Sequence, residues 1–161
     1  KYINKKLGEL LVETHIITPA QLEEALELQK DKGGLIGEIL VQLKFTTEED
    51  IAKMLTAQYG FAYLPLANYE IDHDLIILIP ERVAMQYCLI PVDKIANNLT
   101  IAMSNPLNSQ AIEDIETLLN CSVQVFVSTS SDIRHAIGKY YKVTNPPRQS
   151  EAALGNQKPE K

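Results

Sequence analysis

The chain has 161 residues, 45% of them hydrophobic, with 15 basic against 21 acidic side chains and a formal charge of −6. That is enough apolar material for one or two small cores, and the acidic balance argues against general binding of DNA or RNA, which net basic surfaces carry. The densest apolar run, LIILIP at 75–80, falls far short of the roughly 20 residues a membrane-spanning helix needs, and no signal-peptide pattern is read, so the expected setting is cytoplasmic, without direct membrane insertion.

Residues 6–29, KLGELLVETHIITPAQLEEALELQ, return after the spacer KDKGG as LIGEILVQLKFTTEEDIAKMLTAQ at 35–58, an offset of 29 positions. Under it Gly8 meets Gly37, Glu9 meets Glu38, Leu11 meets Leu40, Val12 meets Val41, Thr18 meets Thr47, Leu26 meets Leu55 and Gln29 meets Gln58. Core packing accounts for the leucines. A glycine near a helix start lets a partner approach the backbone, and an amide offers both donor and acceptor, so the copies read as two halves of a holder.

Each unit spaces its apolar residues as a pair of helices. In the first, Leu7, Leu10 and Leu11 precede a break over 14–18, then Leu22, Ala25, Leu26 and Leu28 follow. Thr18 with Pro19 and Gln21 supplies an N-cap, a first-turn proline and a capping-box partner. In the second, Thr46 or Thr47 caps a helix whose early acids Glu48, Glu49 and Asp50 suit the positive end of the helix dipole. Four short helices, two tandem hairpins, are thus expected over 1–60. Lys1, Lys5 and Lys6 at the start, and Lys30 and Lys32 in the spacer, would let a small anion be held locally.

Beyond Gly60 strand and helix signals alternate. FAYLPLANY is an extended entry, and DHDLIILIPERVAMQY is a short helix, a proline break and a second helix near 81–86. Two apolar runs, 88–92 and 99–103, flank Asn97 and Asn98 as a hairpin. A helix over 109–119 carries Ile112, Ile115, Leu118 and Leu119 on one stripe, a strand follows at 123–127, and a last helix capped around Ser130 and Ser131 turns Ile133, Ala136, Ile137 and Tyr140 inward. The expected fold class is α+β: a four-helix N-terminal bundle, then a small mixed α/β subdomain of about three strands over 61–142. The proline-rich remainder, 143–161, reads as a disordered linker.

No catalytic constellation emerges. Gly33, Gly34, Gly37 and Gly60 lack the spacing, lysine and hydroxyl of a phosphate loop, and there is no HExxH. Asp72, His73 and Asp74 cannot all aim at one ion from a regular element and read as a solvated helix start, so no metal site is expected. His15 in an interhelical turn and His135 on a helix read as surface residues, and Ser128, Thr129, Ser130 and Ser131 as cap and turn residues, since no base is placed to activate them. Cys88 and Cys121, at arbitrary spacing among apolar neighbours, read as buried reduced thiols.

With these residues on the page, the chain resembles the N-terminal domain of type II secretion and type IV pilus assembly ATPases, including the MshE-type version that binds cyclic di-GMP. The likeness spans 6 to about 142. It rests on the doublet with its five-residue spacer and on IPVD, LTIAMSNPLN, AIEDIETLL and AIGKYY farther on. The resemblance implies that each unit grips one half of the two-fold dinucleotide. In the first unit the matching positions are Lys6, Leu7, Gly8, Leu11, Leu22, Leu26 and Gln29; in the second they are Leu35, Ile36, Gly37, Leu40, Ile51, Leu55 and Gln58. Two family features differ: the opening arginine is Lys6 and Leu35, and the mid-unit glycine is His15 and Lys44. Losing one charge-assisted contact weakens binding by roughly 1.5–3 kcal/mol, or ten- to hundredfold.

The resemblance therefore implies a non-catalytic regulatory and docking domain, joined to a C-terminal ATPase motor and peripheral to the inner membrane through a platform protein. It needs no cofactor beyond cyclic di-GMP as ligand. The alternative is a docking scaffold that tethers the motor to the platform and binds no nucleotide, which polar-faced helix stripes suit equally.

Overall fold

The helices expected from the sequence form in the computed structural model, which describes residues 6–144. Helices α1 (Leu7–Glu13) and α2 (Pro19–Lys32) form the first hairpin, α3 (Ile36–Gln42) and α4 (Glu48–Tyr59) the second. At α2 the Thr18 hydroxyl accepts from the Gln21 N–H at 3.1 Å and the Gln21 side-chain Oε1 from the Thr18 N–H at 2.9 Å, a complete capping box. At α4 it is Thr47 that caps, accepting from the Asp50 N–H at 3.0 Å, while Thr46 is buried.

Both hairpins turn by the same hydrogen bonds. Ile16 N–H donates to the Leu11 carbonyl and His15 N–H to that of Val12; Phe45 N–H donates to Leu40 and Lys44 N–H to Val41. This is a Schellman turn in duplicate, and it requires a left-handed residue at its corner. His15 has φ 63° and Lys44 φ 66°, the two positions where the resembled family has glycine. The family's glycine is thereby accounted for by backbone conformation.

The second half supplies a short 3₁₀ turn (Leu66–Asn68), α5 (His73–Ile76), α6 (Glu81–Tyr87), β1 (Leu89–Ile95), β2 (Asn98–Met103), α7 (Ser109–Leu119), β3 (Ser122–Val127) and α8 (Ser130–Thr144). The fold is α+β with a three-stranded mixed sheet of order β1-β2-β3. β1 and β2 are an antiparallel hairpin with a register shift between Pro91 and Asp93; β3 returns through α7 to lie parallel to β2. Tyr63 forms a parallel bridge to Val127 on the other side of β3. Asp72 caps α5 through the Asp74 N–H, in keeping with a helix start.

Two apolar clusters hold these elements. One gathers Leu7, Leu10, Leu11, Leu40, Met54 and Leu55 from the hairpins, and takes in Leu107 and Val127 from the α/β half. The other joins the sheet, through Leu89, Ile101 and Met103, to Ile115 of α7 and Ile133 and Ile137 of α8. Cys88 and Cys121 are buried free thiols; burial pushes the Cys88 thiol up, which hydrogen bonds from Ser130 and Ser104 only partly oppose.

Four expectations change in detail. Tyr141 is the tyrosine buried on α8, its hydroxyl donating to the Ile79 carbonyl at 2.7 Å, whereas Tyr140 is half-buried and bonds the Ile71 N–H and Tyr69 carbonyl. Leu118 is exposed, because α7 turns Ala111, Ile112 and Ile115 to the sheet. The side chain that caps α8 is Thr129, which accepts from the Asp132 N–H at 3.2 Å; Ser130 and Ser131 bond to other partners. α8 also takes in the first two residues of the segment read as a linker. Lys1, Lys5 and residues 145–161 lie outside the described residues.

A side chain in the left-handed region is disfavoured by about 1–2 kcal/mol, against a glycine entropy penalty of about 0.5–1. Lys44→Gly is therefore expected to stabilise the chain by about 0.5–1 kcal/mol, and Lys44→Val to destabilise it by more than that. Urea unfolding of the two variants beside the parent chain reads both signs.

Candidate functional site

The repeated glycines sit where helices touch. A Cβ on Gly8 would lie 2.6 Å from Leu22 Cδ1, and one on Gly37 would lie 3.2 Å from Leu7 Cδ2 and 3.7 Å from Ile51 Cδ1. In each unit, then, the glycine faces the matched residue of the following helix, Leu22 or Ile51. Gly37 also receives Leu7 of the other unit, which locks the copies together.

Two adjoining cavities open along these helix starts. The larger, about 730 Å³, is lined by Lys6, Leu7, Gly8, Glu9, Leu22, Leu26 and Gln29 of the first unit, facing Asn105, Leu107 and Asn108. The smaller, about 190 Å³, takes Leu35, Ile36, Gly37, Glu38, Val41 and Ile51 of the second, facing Ser104, Asn105, Asn108 and the 128–130 loop. They share Leu7, Gln29, Ile36, Asn105 and Asn108. The facing loops follow the carboxyl ends of the parallel pair β2 and β3, the position where open α/β sheets hold ligands.

Ten of the fourteen sequence-marked residues thus line one continuous groove: Lys6, Leu7, Gly8, Leu22, Leu26, Gln29, Leu35, Ile36, Gly37 and Ile51. Leu11, Leu40 and Leu55 are fully buried and line neither cavity; they support it from within the core. Gln58 is exposed and also lines neither. The cause is the chain path after each unit. The spacer doubles back through Gly33 and Gly34, both at positive φ, so that Gln29 Nε2 donates to the Gly34 carbonyl at 2.9 Å. α4 instead ends on Gly60 and runs on to β3, where Leu64 N–H donates to the Val127 carbonyl at 2.8 Å.

Lys6, at the N-cap of α1, is the sole basic residue among the described residues lining either cavity. Leu35, at the N-cap of α3, packs against the core of the α/β half. The opening position of the second unit therefore serves as an apolar seam.

Sequence reasoning missed the acids that close the smaller cavity. Glu38 makes a two-pronged pair with Arg134 of α8, 2.9 Å to Nε and 3.0 Å to Nη2, and accepts from the Ser130 hydroxyl. Glu48 accepts from the Ser131 N–H at 2.7 Å and from its hydroxyl at 2.5 Å. Burial alone would raise the Glu38 carboxyl, but the hydrogen bonds from Arg134 and Ser130, with the Arg134 charge, hold it below the usual carboxylate range. The Glu9/Glu38 match in the repeat was a signal for this residue; nothing local marked Arg134.

Comparison with known proteins places this architecture. Residues 59–145, just over half of the chain, match the family model of the MshEN domain. The type IV pilus assembly ATPase PilB of Myxococcus xanthus is 33% identical over 141 residues, covering 88% of this chain and 25% of that protein. The structure of MshE with cdg superposes with a TM-score of 0.63 at 30% identity, covering 86% of this chain and all of that one. The N-terminal domain of XpsE shares the fold, with a TM-score of 0.66 at 18% identity over 87% of this chain and 96% of that one. The chain spans about a quarter of the length of the PilB relative.

Because the folded pKa of Glu38 is lowered, its contribution to stability is complete above the unfolded carboxylate value, near pH 4.3, and fades as pH falls through the folded value. Glu38→Gln is expected to cost about 1–2 kcal/mol at neutral pH. Urea midpoints of parent and variant should converge as pH falls below the folded carboxylate value of Glu38; a gap that persists in acid would assign the cost to packing.

Proposed function

Since the chain belongs to the MshEN-domain family, we propose that it is a non-catalytic regulatory and docking module of a type IV pilus or type II secretion ATPase, and that the groove along its two helical units takes cyclic di-GMP. The observation that carries the reading is the convergence of matched residues of both units on adjoining cavities with a common floor of Leu7 and Ile36. A flat, two-fold ligand would lay one half on each unit, its rings covered by Leu22 and Leu26 on one side and Ile36 and Ile51 on the other. Gln29 and the Asn105 and Asn108 amides, which border both cavities, offer directional hydrogen bonds to base edges. The relative MshE has a structure with cdg, which supports this ligand class.

Charge sets the expected strength. Lys6 is a point charge where a guanidinium would both stack and fork, and Leu35 supplies none. We therefore expect weaker binding than two arginines would give. Regulation follows from coupling: a ligand in the smaller cavity touches the 128–130 loop and Glu38, both joined to α8, so occupancy bears on the helix that leads out of the module. In full length the module would sit in the cytoplasm, held to the inner membrane through a platform protein and to the motor through the chain beyond α8. Leu35 at the arginine position favours the second reading, a docking scaffold without nucleotide.

Calorimetric titration with cyclic di-GMP separates the readings. Saturable heat supports the ligand site, and no heat at high micromolar ligand leaves docking alone. Leu35→Arg is expected to tighten binding ten- to hundredfold by restoring a charge-assisted contact. Gly37→Leu, which drives a side chain into Leu7 at the common floor, is expected to abolish binding while the chain stays folded by circular dichroism.

A further inference from the structure

The two units match in sequence but not in surroundings. In the second, the groove between α3 and α4 is roofed by the start of α8: Ser130 and Arg134 hold Glu38 on one rim, Ser131 holds Glu48 on the other, and Ser128 to Ser130 face Val41 and Ile51. Leu55 beneath is 0% exposed. In the first, the equivalent groove between α1 and α2 is open. Its matched leucine, Leu26, is 43% exposed, and Val12, Pro19 and Leu22 floor a trough of about 410 Å³. Glu9, the counterpart of Glu38, stands at its rim with Glu13 and Glu23, and no described residue lining it is basic.

We propose that this open α1/α2 groove is a docking surface for an arginine-bearing helix start of a partner protein, received as α3/α4 receives the start of α8. Two features choose that occupant. The apolar floor needs a cover of the kind its twin already has, and the acidic rim makes that cover basic, with the guanidinium directed at Glu9 as Arg134 is at Glu38. The inference deepens the docking part of the reading above and rests on it for the existence of a partner. Val12, Glu13, Pro19 and Glu23 line this groove and not the ligand cavities, whereas Glu9, Leu22 and Leu26 border the larger cavity as well, so Val12 and Glu13 are the positions that report docking apart from nucleotide.

The probe is a helix-stapled peptide carrying residues 128–141 of this chain, titrated into the isotope-labelled 161-residue chain and followed by amide shifts. The expected result is saturable shifts at Val12, Glu13 and Leu26, with affinity falling about tenfold for Glu9→Gln in the chain or Arg134→Gln in the peptide. Glu9 also accepts from the Lys6 N–H at 3.3 Å, a cap that glutamine can keep, and the amide spectrum of the Glu9→Gln chain reports its fold. No saturable shift at those amides with millimolar peptide would overturn the proposal, as would equal binding by the arginine-free peptide or shifts confined to Glu38 and Glu48. Shifts at the same amides that appear on concentrating the chain alone would assign the groove to a second copy and overturn it equally. Failure here leaves the cyclic di-GMP titration untouched, and a silent titration leaves this test standing.

Discussion

The clamp of Glu38 and Glu48 on the first turn of α8 sets how the helical half meets the sheet. α8 is anchored in the sheet core by Ile133 and Ile137, and in the hairpin half by Arg134, Ser130 and Ser131. The clamp is not the larger energy. Partly exposed ion pairs contribute about 0–1 kcal/mol, rising to about 1.5–3 where hydrogen bonds to charge are well made. Burying one large apolar side chain contributes about as much or more, and Val127, Leu107 and Leu35 all cross the seam. Apolar contact joins the halves and the directional pair fixes their angle. That angle brings the loops after β2 and β3 over Gly37.

Much of this was legible because the signals are local. Thr18, Pro19 and Gln21 announce α2 within four residues, and the hairpin, the α7 crossover and the last strand follow from runs of apolar residues between turn formers. What the sequence hid was decided by neighbours far along the chain. Glu38 and Arg134 are 96 positions apart, and no helical period announces such a pair. Periodicity also cannot choose between adjacent apolar residues at a helix end. Tyr140 lies nearer the stripe of Ile133 and Ile137, yet Tyr141 is buried, because the Ile79 carbonyl awaits its hydroxyl. The groove was readable in its glycines and leucines, but Gln29 and Gln58, alike in sequence, part company because the chain turns differently after each.

Duplication has produced one pattern with two fates. Residues that build the hairpin itself keep the same role in both copies: the buried Leu11 and Leu40, the capping Thr18 and Thr47, and the left-handed corner at His15 and Lys44. Outward-facing residues diverge. Leu55 and Glu38 are packed against the rest of the molecule, while Leu26 and Glu9 stay exposed, Glu9 accepting from the Lys6 N–H of its own helix start. Leu35, where the resembled family has arginine, is the same divergence at the level of residue type: a position on the seam has become apolar.

The sheet adds a constraint of its own. β1 carries Pro91, which has no N–H to offer, and its ladder slips at Val92; the free side of β3 is occupied by 62–64, through Val127 and Leu64. Neither border of the sheet therefore presents the long, flat row of backbone donors and acceptors that invites an incoming strand. When copies of such a module are crowded together, they resist fusing edge to edge into fibrils.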